Sequence, residues 1–159
     1  MKQHAFTFKA NGLAAQLVSP VDIIGDGQKK NGAKALWDTG ATGTCISKEV
    51  VTELGLQPVS QRQVLTPSGH AVVNVYLVDI ILPNNVVFKD IAVCDSEIGD
   101  QGIDVLVGMD VILNGTFTVS NYGGKTAFSF AVPSDKMIDY AAELKIKDIT
   151  SKGHMKKKK

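Results

Sequence analysis

Short apolar runs separated by turn-forming residues most strongly limit the folds open to this chain. Strand-like stretches such as Ala71 to Leu82 and Val86 to Cys94 end at Pro or Asp, and long stretches of helical periodicity are lacking. A chain of 159 residues buries about 70% of its unfolded surface, so it needs neither disulfides nor a structural metal to form a core. We therefore predict one mostly β domain with two or three short helices.

Capping residues predict where those helices begin and end. Ser47 is a suitable N-cap for a helix that stops at Gly55, and Met109 to Leu113 is expected to form a second short helix. Ser134 is predicted to cap a third helix near the C-terminus. The residues between the first two helices are expected to contain a hairpin with its tip at Pro67 to His70.

Charge is distributed unevenly between the body of the chain and its C-terminal end. Residues 145–159 contain seven Lys and one Asp, so this segment carries a net charge of +6 while the remainder carries −5. A basic tail can attract nucleic acid, but the acidic body lacks the basic patch and interleaved aromatic residues of a nucleic-acid surface. We predict a folded domain over residues 1–133, a C-terminal helix over 134–150 and a solvated, disordered Lys-rich tail over 151–159.

The apolar runs also bear on location. They are far shorter than the roughly 20 residues needed to cross a bilayer, so no membrane span is predicted. Met1 to Thr7 alternates apolar and polar residues where a secretory signal would require a continuous apolar stretch. We expect a cytoplasmic protein without a membrane partner.

One tripeptide carries the strongest indication of chemistry. Asp38-Thr39-Gly40 directly follows the buried strand predicted at Ala33 to Trp37. A carboxylate that leaves a buried strand into a tight turn is held rigidly near apolar walls, and Gly40 lets a backbone or a substrate approach closely. The alternative is a turn carboxylate that only binds backbone amides, as in ordinary Asx-turns. The tripeptide alone is too short to decide between these interpretations.

The residues around this tripeptide resemble the retropepsin-like aspartic peptidases, the single-domain proteases of retroviruses and retroelements. The family has a hydrophobic strand, Asp-Thr/Ser-Gly-Ala and a short strand ending in Ser, which correspond here to Trp37 through Ser47. A second family element, two apolar residues followed by Gly and a short helix, is matched by Val105 to Ile112. The intervening helix and flap hairpin are matched by Lys48 to Leu56 and by Pro67 to His70.

The resemblance implies a fold, an activity and a set of site residues. The fold would be a closed β-barrel or sandwich with a flap hairpin, and the activity would be aspartic endopeptidase hydrolysis of polypeptides without metal or cofactor. Asp38 would be the catalytic residue, and because the chain has one Asp-Thr-Gly, a homodimer would supply the second carboxylate. The residues implied to support the catalytic loop are Thr39, Gly40, Ala41 and Gly108, and those implied to contact substrate from the flap are Pro67, Ser68, Gly69 and His70.

Two departures from the family pattern keep a second function open. Trp37 stands where the family more often has an aliphatic residue, and Pro67-Ser68-Gly69 replaces a Gly-rich flap tip. A buried Trp fits this position if its indole N–H finds a partner. The alternative function is a catalytically inactive retropepsin-like module that binds peptides or dimerises.

Other motifs favour structural roles. Cys45 and Cys94 are predicted to be buried thiols, since nothing near Cys45 indicates the base that a nucleophilic thiol requires. Gly124-Lys125-Thr126 resembles the end of a P-loop but lacks its first Gly. Asp104 and Asp110 flank the second family element, where they are predicted to bind backbone groups.

Overall fold

The computed structural model describes residues 2–66 and 69–147, with the backbone alone described at Thr66. Within these residues the predicted mostly β architecture is confirmed. The strands are β1 (His4–Lys9), β2 (Val18–Gly25), β3 (Gln28–Trp37), β4 (Cys45–Ser47), β5 (Ser60–Thr66), β6 (Gly69–Ile81), β7 (Val87–Ser96), β8 (Val105–Val107), β9 (Thr116–Ser120) and β10 (Ala127–Val132). The helices are α1 (Lys48–Leu54), α2 (Met109–Ile112), α3 (residues 140–147) and two 3-10 turns, Gly99–Gln101 and Tyr122–Gly124.

Six strands close into a barrel, as predicted. The larger sheet has the order β2-β3-β8-β4-β7-β6-β5. Strand β2 pairs with β3 and also with β6, through Asp22–Ile81 and Ile24–Asp79, and this second pairing closes the barrel. Strand β5 extends beyond the closed part because it pairs with β6 alone. The interior is filled by fully buried aliphatic side chains, among them Ile23, Ile46 and Ile80. The barrel thus fixes the ends of β3, β4 and β8 at one place.

A smaller antiparallel sheet, β1-β10-β9, joins the two ends of the domain. Its aromatic side chains surround Trp37 at the end of β3, with ring centroids 5.1 to 5.6 Å from those of Phe130, Phe6 and Phe117. Burial of aromatic surface is among the larger favourable contributions to a core. The strand that leads into Asp38 is therefore anchored to the N- and C-terminal strands.

Helix α1 begins and ends where its capping residues predict. The Ser47 hydroxyl accepts a hydrogen bond from the Val50 N–H at 3.2 Å. Gly55 adopts the left-handed conformation, with φ of 61°, and its N–H donates to carbonyls of the last turn. Val50 and Leu54 are buried against the barrel, so the helix is stabilised by both its caps and its apolar face.

Helix α3 begins later than the sequence predicts. Residues 133–139 have no regular structure, and the N–H of Ala142 donates to Asp139 Oδ1 at 3.0 Å, so Asp139 is the N-cap. The Ser134 hydroxyl instead hydrogen bonds with the Thr116 hydroxyl of β9 at 2.7 Å, which holds this residue against the sheet. The predicted helix end at 150 and the tail 151–159 lie outside the described residues. None of the helices described is both long and apolar enough to span a membrane.

Candidate active site

Asp38 is the first residue after β3, and its backbone and side chain are both held. Its N–H donates to the Val107 carbonyl of β8 at 3.0 Å, and its Oδ1 accepts the Gly40 N–H at 2.8 Å. The carboxylate is half-buried, and Oδ2 accepts no hydrogen bond from the residues described. The Asx-turn expected of a structural Asp is therefore present, yet it occupies one carboxylate oxygen and leaves the other available.

Gly108 lies directly beneath the loop that carries Asp38. A Cβ at this position would lie 2.5 Å from the Gly43 carbonyl carbon and 3.1 Å from the Ala41 oxygen. The next residue, Met109, donates its N–H to that Ala41 oxygen at 2.8 Å. The structure thus brings Gly108 and Ala41 together, and only Gly permits this approach of two backbones.

Thr44 is a supporting residue that the sequence analysis missed. Its hydroxyl donates to Asp110 Oδ1 at 2.7 Å, and its N–H donates to Asp110 Oδ2 at 2.9 Å. The same hydroxyl accepts the Gly108 N–H at 3.1 Å. Thr44 is 1% exposed, so these hydrogen bonds satisfy buried polar groups that would otherwise be costly. The signal available in the sequence was the position of this Thr directly before Cys45, which is predicted to be buried.

Asp104 and Asp110 take the positions predicted for them, whereas Thr39 does not. Asp110 and Asp104 do bind backbone groups, since Asp104 Oδ2 accepts the Lys34 N–H at 2.7 Å. Thr39, implied to support the loop, is exposed, and its hydroxyl makes no hydrogen bond with the residues that the structure describes. In the described residues, no three His, Cys, Asp or Glu side chains form an arrangement that could hold a metal ion.

Trp37 fits the strand behind Asp38 without crowding it. Its indole N–H donates to the Ser19 hydroxyl at 2.9 Å, and both side chains are buried. Its ring stacks on Phe117 with an interplanar angle of 9°. The buried indole N–H therefore has the hydrogen-bond partner that it needs at this position.

The hairpin β5–β6 occupies the position of the predicted flap. Thr66 pairs with Gly69, and Leu65 with His70, so these residues form the end of the hairpin nearest its turn. Leu65 is 78% exposed and His70 is also exposed. The other two predicted flap residues, Pro67 and Ser68, lie outside the described residues.

A cavity of about 1110 Å³ lies between this hairpin and the loop that follows Asp38. Residues 42–45 contribute one wall, and apolar side chains of the hairpin, including Val64 and Val72, contribute another. Asp38 itself does not line this cavity. The cavity is mixed in chemistry, since Arg62, Asp95 and several aliphatic side chains all border it.

Both cysteines are free and border the same cavity. Burial raises the pKa of the Cys45 thiol to about 11, and burial also raises the pKa of the Cys94 thiol. Both groups are therefore protonated thiols at neutral pH. Neither is a ready nucleophile, as predicted, but only Cys94 is buried as expected, since Cys45 is half-buried.

Comparison with known families identifies the chain. The aspartyl protease family profile matches residues 20–111, more than half of the chain, from β2 to α2. The chain belongs to the aspartyl protease family. Asp38, the hairpin and Gly108 all lie within the matched residues. No curated protein sequence matches the chain.

Two solved structures are similar to the chain, and the first of them shows the same fold. A retropepsin-like aspartic protease from Rickettsia conorii is 17% identical with a TM-score of 0.51, and the alignment covers 83% of this chain and 97% of that one. The simian foamy virus (mac) protease is 23% identical with a TM-score of 0.43, over 61% of this chain and 92% of that one. The first likeness confirms a retropepsin-like fold for this chain.

Proposed function

We propose that this aspartyl protease is a homodimeric endopeptidase in which Asp38 of each protomer contributes one carboxylate to a shared site. The observation that carries the proposal is the state of the Asp38 carboxylate, with Oδ1 bound to Gly40 and Oδ2 available. Each chain has a single Asp-Thr-Gly loop, so a two-carboxylate site needs two chains.

The chemistry follows from the closeness of two carboxylates across a two-fold axis. Two carboxylates at hydrogen-bond distance cannot both be ionised at once, so the pair holds one proton and titrates as a unit. The ionised member takes a proton from a water molecule, which attacks the peptide carbonyl. The protonated member donates its proton to the oxygen of the developing gem-diol. The Gly40 N–H keeps each carboxylate in a fixed orientation during these transfers.

The cavity supports a polypeptide substrate. The cavity lies between residues 42–45 and the hairpin, and its lining contains both apolar and polar side chains. Such a lining suits a polypeptide with varied side chains better than a small polar metabolite. The exposed Leu65 and Val72 lie on the hairpin, where an aliphatic side chain can cover a bound peptide and exclude water. In this proposal the hairpin acts as the flap.

The test is hydrolysis of a mixed peptide library, with and without a statine inhibitor that mimics the transition state. We expect wild-type hydrolysis, inhibition by statine and loss of hydrolysis in Asp38→Asn. The matched control is Asp100→Asn, because Asp100 is an exposed carboxylate in the 3-10 turn after β7. A tenfold lower rate corresponds to an activation free energy that is about 1.4 kcal/mol higher. If Asp38→Asn turned over substrate within about tenfold of the wild-type rate, the aspartic mechanism would be contradicted.

The same experiment separates the endopeptidase from the inactive module. A module that only binds peptides would retain library members and hydrolyse none, and Asp38→Asn would bind them equally well. The intact Asp38 loop favours the endopeptidase, since a binding module has no need of an available carboxylate oxygen at this position.

A further inference from the structure

The two cysteines lie side by side on neighbouring strands. Cys45 of β4 is the register partner of Cys94 of β7 in a parallel pairing, and the Cys94 N–H donates to the Thr44 carbonyl at 3.3 Å. Register partners on adjacent strands point to the same face of a sheet. Both residues border the cavity beside the Asp38 loop, which places the two thiols on its wall together.

The spacing of the strands brings the pair close to disulfide geometry. Adjacent strands are about 4.8 Å apart. Disulfide-linked residues have Cα atoms roughly 4.4 to 6.8 Å apart and Cβ atoms roughly 3.5 to 4.5 Å apart. This strand spacing is within the range for the Cα atoms and slightly above the range for the Cβ atoms, so a bond between Cys45 and Cys94 requires only a small approach of β4 towards β7. The effect of the Cys94 thiolate on the pKa of Cys45 is a second sign that the groups are neighbours.

We propose that Cys45 and Cys94 form an oxidisable dithiol whose reversible disulfide displaces the start of β4 and so disturbs the Asp38 loop. The structure gives this movement a route. Thr44 precedes Cys45, and its hydroxyl binds both Asp110 and the Gly108 N–H. A shift of Cys45 towards β7 pulls Thr44 away from those partners.

The oxidant is a low-molecular-weight disulfide, for which oxidised glutathione is the probe. The thiolate of Cys45, the more exposed of the two residues, attacks one sulfur of the oxidant and releases one glutathione thiolate. The Cys94 thiolate then attacks the Cys45 sulfur and releases the second glutathione. Two protein thiols are oxidised to one disulfide, and one glutathione disulfide is reduced to two thiols.

The raised pKa values set the rate of this exchange. Because both thiols are mostly protonated at neutral pH, disulfide formation is slow there and becomes faster as the pH rises. Oxidation is therefore best carried out at mildly alkaline pH. A dithiol that oxidises slowly responds to sustained changes in the thiol-disulfide balance.

The first test is chemical and needs no activity. The full chain is incubated with oxidised glutathione, alkylated and mapped by mass spectrometry without reduction. We expect an intramolecular peptide linking Cys45 and Cys94, the loss of two hydrogen atoms from the chain, and full reversal by dithiothreitol. Cys45→Ser and Cys94→Ser should each give a glutathione adduct instead. Adducts or interchain disulfides alone in the wild type would overturn the proposal.

The second test asks whether the disulfide reaches the loop. Amide hydrogen exchange is measured for Thr44 and Gly108 in the reduced and oxidised full-length chain. We expect faster exchange at both amides in the oxidised form, since their hydrogen bonds meet at the Thr44 side chain and Asp110. Unchanged exchange with the disulfide formed would overturn the coupling to the loop.

A third test measures the effect of oxidation on hydrolysis. It rests on the proposed function and is interpreted separately from the first two tests. Each chain is compared with its own reduced form, so that a change in basal activity from the substitution does not matter. We expect oxidation to remove most hydrolysis from the wild type and dithiothreitol to restore it, with no loss in the double variant Cys45→Ser/Cys94→Ser, which has no thiol to oxidise. If the reduced wild type hydrolyses nothing, the proposed function fails while the first two tests still decide the dithiol.

Discussion

Thr44 and Asp110 are 66 residues apart in the sequence and form a two-point hydrogen-bonded pair behind the Asp38 loop. The Thr44 hydroxyl and N–H donate to different oxygens of one carboxylate, at 2.7 and 2.9 Å. The hydroxyl also accepts the Gly108 N–H, so the loop that contains Thr44 and the segment 108–110 are joined at one side chain. The rigidity of the candidate site depends on this contact, since Asp38 lies on the loop that it supports.

Removal of the Thr44 hydroxyl should destabilise the protein and weaken hydrolysis. Thr44→Val is nearly isosteric but leaves the buried Gly108 N–H without its acceptor, while Asp110 Oδ1 keeps only the Val111 N–H as a donor. An unsatisfied buried polar group costs about 1–3 kcal/mol, and the free energy of unfolding in urea should fall by that amount. Thr44→Ser keeps the hydroxyl and is the control. Equal losses in the two variants would show that the methyl group, and not the hydrogen bonds, is responsible.

Gly108→Ala should displace the loop. The added Cβ would lie 2.5 Å from the Gly43 carbonyl carbon, a contact between two backbones that cannot move independently. Overpacking of this kind costs about 1–3 kcal/mol in unfolding experiments, and we expect hydrolysis to fall sharply as the loop shifts. Gly12→Ala is the matched control, because a Cβ there has no heavy atom within 4 Å. Wild-type hydrolysis by Gly108→Ala would refute the role assigned to this contact.

The Trp37 indole and the Ser19 hydroxyl should show energetic coupling. Trp37→Phe leaves the buried Ser19 hydroxyl without its donor, and Ser19→Ala leaves the indole N–H without its acceptor. Each change should lower the free energy of unfolding by about 1–3 kcal/mol, whereas the double variant should lose less than their sum. Additive losses in thermal or urea unfolding would indicate that packing against Phe117, and not the hydrogen bond, determines the effect.

A shared site predicts poisoning by an inactive partner. When wild type is mixed with a threefold excess of Asp38→Asn and subunits exchange, only about a quarter of wild-type chains pair with another wild-type chain. Activity per wild-type chain should fall to about that fraction, and dilution of the wild type alone should also reduce specific activity. Native mass spectrometry checks that mixed dimers form. Constant activity despite mixed dimers would mean that each protomer works alone.

The Cys45 thiol should make stability depend on alkaline pH. Its ordinary pKa of 9.0 rises to about 11 on folding because of burial, so the folded state holds this proton more tightly than the unfolded state. Its contribution to stability is therefore complete below about pH 9 and is lost as the pH rises towards about 11. With a reducing agent present, the free energy of unfolding of the wild type should decline more steeply over this range than that of Cys45→Ser. Parallel declines would show that Cys45 does not titrate in this way.

Local sequence signals were sufficient for much of this protein. The caps at Ser47 and Gly55, the hairpin of β5 and β6 and the Asp38 turn all depend on residues near one another in the chain, where side-chain preference and chain geometry act directly. Helix α3 is the exception, because the tertiary contact between Ser134 and Thr116 outweighs the capping preference of Ser134.

Tertiary structure decided which distant residues meet. Barrel closure brings β4 between β7 and β8, and this arrangement pairs Cys45 with Cys94 and Thr44 with Asp110. No periodicity or cap encodes such contacts, since they depend on the order of strands in the sheet and on close packing of whole elements. The sequence alone identified the carboxylate that carries the proposed chemistry, whereas the fold determined what holds that carboxylate in place.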